Sequence, residues 1–120
     1  DRNIKNHHRY LGDEAITFIE ALEPAEYDRY DGLTEVGFYA QDVAEIDPWD
    51  AITTRHDENE LDNMPGGMWA MSYEQLMAPL VKYSQYQSER ITELESTVAA
   101  LTDTVTALTA RLETLEAKEV

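Results

Sequence analysis

Residues 91–115 read ITELESTVAALTDTVTALTARLETL, and this stretch decides how the chain folds. Its apolar residues alternate between spacings of three and four over four heptads, at Ile91, Leu94, Val98, Leu101, Val105, Leu108, Leu112 and Leu115. A strict repeat of about 3.5 residues is typical of helices that supercoil around partner helices, whereas a helix lying on its own domain has a wider stripe. The sequence therefore predicts a parallel coiled coil and self-association.

The number of helices in this coil is less certain from the heptads. Val or Ile at position a with Leu at position d is typical of parallel dimers. Residues 111–116, RLETLE, instead resemble the Arg-h-x-x-h-Glu motif of short trimeric coiled coils, where h is hydrophobic and Arg111 would pair with Glu116. The alternative is a solvated ion pair of little energetic weight. Because positions e and g are mostly Thr, little charge patterning selects a different partner, and a homo-oligomer is favoured.

Composition excludes several classes of function. The 120 residues include 25 Asp and Glu against 9 Lys and Arg, a formal net charge of −16 that repels nucleic acids and anionic membranes. There is no cysteine, so disulfides and thiolate chemistry are absent. No apolar run reaches the roughly 18 residues that a membrane span needs. We predict no nucleic-acid or membrane partner, no cofactor, and no free-standing enzyme, since no conventional triad or phosphate-binding loop is present.

The chain before the heptads is rich in turn residues, because all five glycines precede residue 70. Hydrophobic spacing predicts a helix over 14–22, which Gly12-Asp13 would cap, and a hairpin of 25–30 with 33–38, which Asp31-Gly32 would close. A short helix is predicted over 39–46 and should stop before Pro48, because the residue before a proline disfavours the helical conformation. A strand over 51–54 and an exposed loop over 55–67 should follow. Pro79 predicts that residues 73–78 form a separate turn and that a new helix starts near residue 79. The expected fold is α+β, with a small mixed domain over residues 1–78 and a trimeric coiled-coil helix over 79–120.

Three segments together resemble one protein family. The chain starts with DRNIK at residues 1–5, residues 37–43 read GFYAQDV and are followed by Pro48, and residues 71–76 read MSYEQL before the long helix. They are similar to the Ser-Asp-Arg-x-h-Lys, Gly-h-x-Ala-Gln-(Asp/Glu)-Val and h-Tyr-x-x-Leu motifs of the intramolecular chaperone, or peptidase S74-like, domain that ends trimeric bacteriophage tail spikes and tail fibres. The matching residues are Arg2, Lys5, Gly37, Ala40, Gln41, Asp42, Val43 and Tyr73.

The resemblance implies a homotrimeric assembly chaperone for the upstream fibre chain of the same precursor, acting in the host cytoplasm during virion assembly and then cut off. In the family a serine supplies the nucleophile and a lysine five positions later is the general base, so Lys5 would be that base and Asp1 would flank the cleaved bond. A lysine serves as a base only when burial or cationic neighbours lower its pKa, and Arg2 and Arg9 are candidate neighbours. The nucleophilic serine would stand five positions before Lys5 and is not among these 120 residues. The 120 residues should therefore be inert, and the activity belongs to the precursor.

Other interpretations remain beside this one. A permanent trimeric fibre tip without cleavage would share the heptads, and the encoded residue before Asp1 discriminates the two. Adjacent His7 and His8 point in different directions and lack a third ligand at useful spacing, so no metal site is predicted. Gln41 and Asp42 are expected to form a buried polar pair that ties helix to strand. The larger aromatic residues are expected in the core or the trimer interface rather than in a sugar-binding platform: Tyr27, Tyr30, Trp49 and Trp69.

Overall fold

The computed structural model describes residues 2–6, 8–56 and 68–119. The chain divides into two compact units, Asp1–Ser84 and Gln85–Val120. A small strand-containing N-terminal region and a long C-terminal helix are present as predicted. The elements in chain order are a 3-10 helix at Arg2–Ile4, α1 at Asp13–Ala21, β1 at Ala25–Asp28, β2 at Thr34–Gly37, α2 at Ala40–Ile46, β3 at Thr53–His56, β4 at Met68–Met71 and α3 at Tyr73–Lys118.

Helix α1 forms where the hydrophobic spacing predicted it. Gly12 is its N-cap residue, and Asp13 and Glu14 in the first turn complement the positive end of the helix dipole. Its inner face buries Ala15 and Phe18. The helix ends at Ala21, just before Leu22 adopts an extended conformation. The predicted helix over 14–22 is therefore confirmed to within one residue at each end.

The predicted hairpin is also confirmed. Strands β1 and β2 pair antiparallel, with Ala25 opposite Gly37 and Asp28 opposite Thr34. The connection over residues 29–33 turns at Gly32, whose φ of +84° lies in the region that favours glycine. The backbone N–H of Arg29 donates to the carbonyl of Leu33 at 2.8 Å, which closes the loop.

The segment after α2 is organised by one carboxylate. The Asp47 side chain accepts hydrogen bonds from the backbone N–H groups of Trp49 (3.0 Å), Ala51 (3.1 Å) and Ile52 (2.9 Å). This arrangement turns the chain from the end of α2 towards β3, and it accommodates Asp50 at a positive φ of 51°. The predicted stop of the short helix before Pro48 is confirmed, because α2 ends at Ile46.

Strands β3 and β4 form a second antiparallel pair, in which Thr53 lies opposite Met71 and Arg55 opposite Trp69. The strand predicted over 51–54 begins later, at Thr53, and runs to His56. Residues 55 and 56 therefore belong to a strand and not to the predicted loop, because cross-strand pairing with 68–69 extends it. The rest of that predicted loop, residues 57–67, lies outside the described residues.

The core of the Asp1–Ser84 unit is small. Phe18, Val43, Ile52 and Leu76 form one buried cluster, drawn from α1, α2, the segment before β3 and the start of α3. Trp49 packs edge-on against Phe18, with the ring centroids 5.3 Å apart. Further half-buried residues surround the cluster: Ile19, Leu22, Phe38, Ile46 and Met71. The four buried side chains lie far apart in sequence, so this core depends on long-range contacts.

The start of the long helix differs from the prediction. Helix α3 begins at Tyr73 and continues through Pro79, whereas the sequence predicted a new helix near residue 79. Pro79 has no N–H to donate to the carbonyl four residues earlier, which normally disfavours a helix interior. Both Leu76 and Pro79 are buried, so packing against the rest of the unit offsets that cost. The domain division at residues 78 and 79 stays a prediction.

Candidate functional site

The second motif of the family resemblance forms the end of β2 and the first turn of α2. Val43 is buried in the core, and its backbone N–H donates to the carbonyl of Tyr39 at 3.1 Å, which starts the helix. Gln41 and Asp42 are exposed on the outer side of α2. The prediction that they form a buried polar pair is therefore wrong. On this helix of seven residues the core accepts Val43, which occupies the single buried position, and the two residues before it point away from the core.

The structure brings the second and third motifs into contact. A Cβ atom added at Gly37 would lie 2.9 Å from the Tyr73 Oη and 3.2 Å from the Tyr27 Oη. Real Cβ atoms essentially never approach other atoms as closely as the first distance. Gly37 thus lets two tyrosine hydroxyls approach the end of β2, one from β1 and one from the first residue of α3. The contact joins a glycine and a tyrosine that lie 36 positions apart in the chain.

This cluster of tyrosines has a distinct electrostatic environment. Burial raises the pKa of the Tyr27 hydroxyl, and the neighbouring Tyr73 and Glu35, the latter also through a hydrogen bond, raise it further. The Tyr27 ring lies 5.5 Å from the Tyr39 ring, and the Tyr73 ring lies 6.5 Å from the Phe38 ring. No local pattern in the sequence indicates that the Tyr27 hydroxyl lies beside Gly37, because this contact depends on the hairpin register. We name Tyr27, Gly37 and Tyr73 the tyrosine clasp.

The residues of the predicted cleavage site lie at the start of the chain. Lys5 is exposed, and its side chain lines a cavity of about 610 Å³ together with His8, Arg9 and Tyr10. Asp1 lies outside the described residues, and Arg2 is described only through its backbone in the 3-10 helix. Arg9, one of the two cationic neighbours predicted for Lys5, lies at the same cavity.

Arg9 is held in place by Glu14 at the start of α1. The Arg9 Nη2 atom lies 2.7 Å from the Glu14 Oε1 atom, and the Gly12 backbone N–H donates to the same oxygen at 3.2 Å. Hydrogen bonds from the backbone N–H groups of Glu14 and Gly12, followed by the bond from Arg9, lower the pKa of the Glu14 carboxyl. The cationic segment before α1 is thereby attached to the helix through an ionised pair.

The predicted oligomerisation residues all lie on α3. Each of the eight apolar seam residues has 53–60% of its surface exposed, and they follow the helix without a break: Ile91, Leu94, Val98, Leu101, Val105, Leu108, Leu112 and Leu115. Arg111 and Glu116 are exposed on the same helix. Residues five positions apart do not face each other on one helix, so their predicted pairing would have to join two helices.

The remaining candidate residues fall into different surroundings. Trp49 is half-buried against Phe18, and the Arg55 guanidinium lies 5.7 Å from the Trp69 ring centroid. Tyr30, by contrast, is 99% exposed at the hairpin tip. Across the described ranges, no group of three His, Cys, Asp or Glu side chains stands in an arrangement that could hold a metal ion, and His7 lies outside those ranges. Within the same ranges, no helix is both long and apolar enough to cross a membrane.

Comparisons of the chain with protein-family models, with curated proteins and with solved structures gave no match. The resemblance to the tail-fibre chaperone domain therefore depends on the three short motifs and the heptads alone.

Proposed function

We propose that the chain is a C-terminal intramolecular chaperone, which trimerises and registers a bacteriophage tail fibre or tail spike and is released by Ser–Lys autoproteolysis next to Asp1. The observation that carries this proposal is the continuous exposed apolar seam of α3. Eight apolar side chains over 25 residues, each more than half exposed, form a stripe that water disfavours and that partner helices would cover. The trimeric motif at Arg111 and Glu116 favours three helices over two.

A trimerising C-terminus would assist the folding of the chain before it. Holding three chains together at one end raises their local concentration to roughly the millimolar range, which favours correct alignment of the upstream segments. Once those segments have folded, the trimeriser is no longer needed. Cleavage would then remove a route by which the fibre could unfold from that end, leaving it kinetically stable. The partners in this proposal are two further copies and the upstream chain of the same precursor.

The cleavage step assigns roles to two residues of this chain. A serine encoded immediately before Asp1 would attack the scissile carbonyl, and the Lys5 amine would accept the hydroxyl proton and pass it to the leaving amine. Water would then hydrolyse the ester formed at the serine hydroxyl, which frees the two chain segments. Arg9 lies at the same cavity as Lys5. Asp1 adjoins the bond that is cut.

A longer precursor from the source gene tests this proposal through intact mass and N-terminal sequencing. We expect the wild type to release a fragment that starts at or beside Asp1, and Lys5→Ala to stay whole. Lys118→Ala, which removes an exposed lysine at the other end of the chain, is the matched control and should be cut normally. An intact wild-type precursor, or a cleaved Lys5→Ala variant, would remove Lys5 from the mechanism.

A permanent trimeric fibre tip without cleavage is the alternative. Two observations favour it: Lys5 is exposed, and Tyr30 is fully exposed at the hairpin tip, as a receptor-binding residue would be. The encoded residue before Asp1 is serine under the first proposal and unconstrained under this one. If the precursor stays intact while the chain sediments as a trimer, the fibre-tip function is the better one.

A further inference from the structure

Two exposed patches of the Asp1–Ser84 unit have opposite charge. The first, which we name the N-terminal patch, consists of Ile4, Lys5, Arg9 and Tyr10. Ile4 is 81% and Tyr10 is 87% exposed. No Asp or Glu occurs between residues 2 and 12, although the chain as a whole carries a formal charge of −16. The N-terminal patch is thus apolar and carries two cations, Lys5 and Arg9, of which Arg9 is paired with Glu14.

The second, which we name the hairpin patch, lies on residues 26–36. Tyr30 is 99%, Leu33 61% and Val36 82% exposed. The same residues carry four acidic side chains against a single base, Arg29. The hairpin patch is thus apolar and anionic.

Ion pairs and a hydrogen bond hold the loop of the hairpin patch. The Arg29 guanidinium lies 3.2 Å from both the Asp31 and the Glu35 carboxylates, and the Leu33 backbone N–H donates to the Asp31 Oδ1 at 3.1 Å. A tyrosine presented by an ordered loop loses little conformational entropy on binding, and tyrosines are frequent anchors of interfaces. A two-stranded sheet is only marginally stable alone, so a partner on its outer face would also stabilise the hairpin.

Symmetry requires two different patches if the chain is a trimer. In a twofold dimer the same surface faces itself, whereas around a threefold axis each copy must present one surface to the next copy and a different surface to the previous copy. The N-terminal patch and the hairpin patch are such a pair, since both are apolar and their charges are opposite. We propose that the N-terminal patch of each copy packs against the hairpin patch of the next copy. This inference rests on the trimer of the proposed function.

Cysteine cross-linking tests the contact directly, because the chain has no cysteine of its own. The full chain with Ile4→Cys and Val36→Cys is treated with a short bismaleimide linker, which tolerates imperfect geometry, and run on a denaturing gel. We expect a covalent trimer, because each copy joins the next around the ring. A mixture of the two single variants should give a covalent dimer. Thr17→Cys with Val36→Cys, which moves the first cysteine to the exposed side of α1, is the matched control and should give no trimer.

A second variant tests the role of charge in this contact. Glu26→Lys, added to the Ile4→Cys and Val36→Cys chain, places a positive charge beside Val36 in the sheet register. It should slow formation of the covalent trimer about threefold at low salt. Glu45→Lys, on the exposed side of α2, is the control and should leave the rate unchanged. Equal rates for the two variants would overturn the electrostatic part of the proposal.

Sedimentation of each uncross-linked sample separates this inference from the proposed function. A chain that sediments as a trimer but yields only single chains, linked internally or not at all, would overturn the contact and leave the trimer in place. A chain that sediments as a monomer or a dimer would overturn the trimer and, with it, this contact.

Discussion

The Asp1–Ser84 unit buries its central apolar side chains within one chain, whereas the Gln85–Val120 unit exposes them. In the first unit, four buried residues from four different segments form the core. In the second, none of the described residues 85–119 is buried, and the seam residues are each more than half exposed. The stability of a unit of the first kind comes from contacts within one chain, while the proposed coil would make the stability of the second depend on other chains and therefore on concentration. Their responses to mutation should accordingly be separable.

The largest effect is expected from a charge in the seam. In the proposed coil, Leu101→Asp would place a buried carboxylate among the helices, which is strongly unfavourable without a partner charge. At micromolar concentration the variant should be monomeric by sedimentation and should lose most of the α3 signal in far-ultraviolet circular dichroism. Thr106→Asp, on the outer side of the same helix, is the control and should keep the oligomer. A Leu101→Asp variant that sediments like the wild type would exclude the coiled coil.

The seam is also the feature that the sequence predicted best. Its repeat is local, so spacing alone predicted a helix through residues 91–115, and local turn residues predicted the hairpin and the stop of α2 before Pro48. The sequence failed where distant contacts decide. Pro79 lies inside a helix because Leu76 and Pro79 are buried, and residues 55 and 56 are in a strand because of their partners across the sheet.

In the candidate site, too, the sequence predicted local features and missed those that depend on distant contacts. Short motifs identified Gly37 and Tyr73 individually, but their contact depends on the path of the chain between them. Tyr27 enters the clasp only through the register of β1 against β2, which no local pattern shows. Gln41 and Asp42 were misplaced because helical phase on a helix of seven residues is set by which side chain the core accepts, here Val43.

The next largest effect should appear in the other unit. Phe18→Ala removes a large, fully buried side chain of the small core and its contact with Trp49, which costs about 3–5 kcal/mol. We expect the tryptophan signal in near-ultraviolet circular dichroism to collapse while the chain still sediments as an oligomer. Thr17→Ala, exposed on the same helix, should change neither measurement. If Phe18→Ala also dissociates the oligomer, the two units are not independent.

A smaller loss of stability is expected from a substitution in the tyrosine clasp. Gly37→Ala places a methyl group 2.9 Å from the Tyr73 Oη, so a ring or the end of β2 must shift, at a cost of about 1–2 kcal/mol in the free energy of unfolding. Urea denaturation measures this loss. Removing the obstructing oxygen with Tyr73→Phe in the Gly37→Ala background should restore part of the stability. A Gly37→Ala variant as stable as the wild type, or a double variant less stable than Gly37→Ala, would show that the clasp has no such close packing.

The smallest effect concerns pH and again belongs to the first unit alone. Burial and the neighbouring Tyr73 and Glu35 raise the pKa of Tyr27 in the folded chain above its ordinary value of 10.0. The folded state therefore holds this proton more tightly than the unfolded state does. The resulting contribution to the free energy of unfolding is fully present below the unfolded-state pKa, and it is lost as the pH rises through the folded-state pKa. Urea denaturation at a series of pH values from neutral to alkaline should show that the free energy of unfolding declines. The decline should begin near the ordinary tyrosine pKa and should be weaker in Tyr27→Phe. Tyr30→Phe, which alters a fully exposed ring, should retain the wild-type decline, so equal curves for all three proteins would remove Tyr27 as its cause.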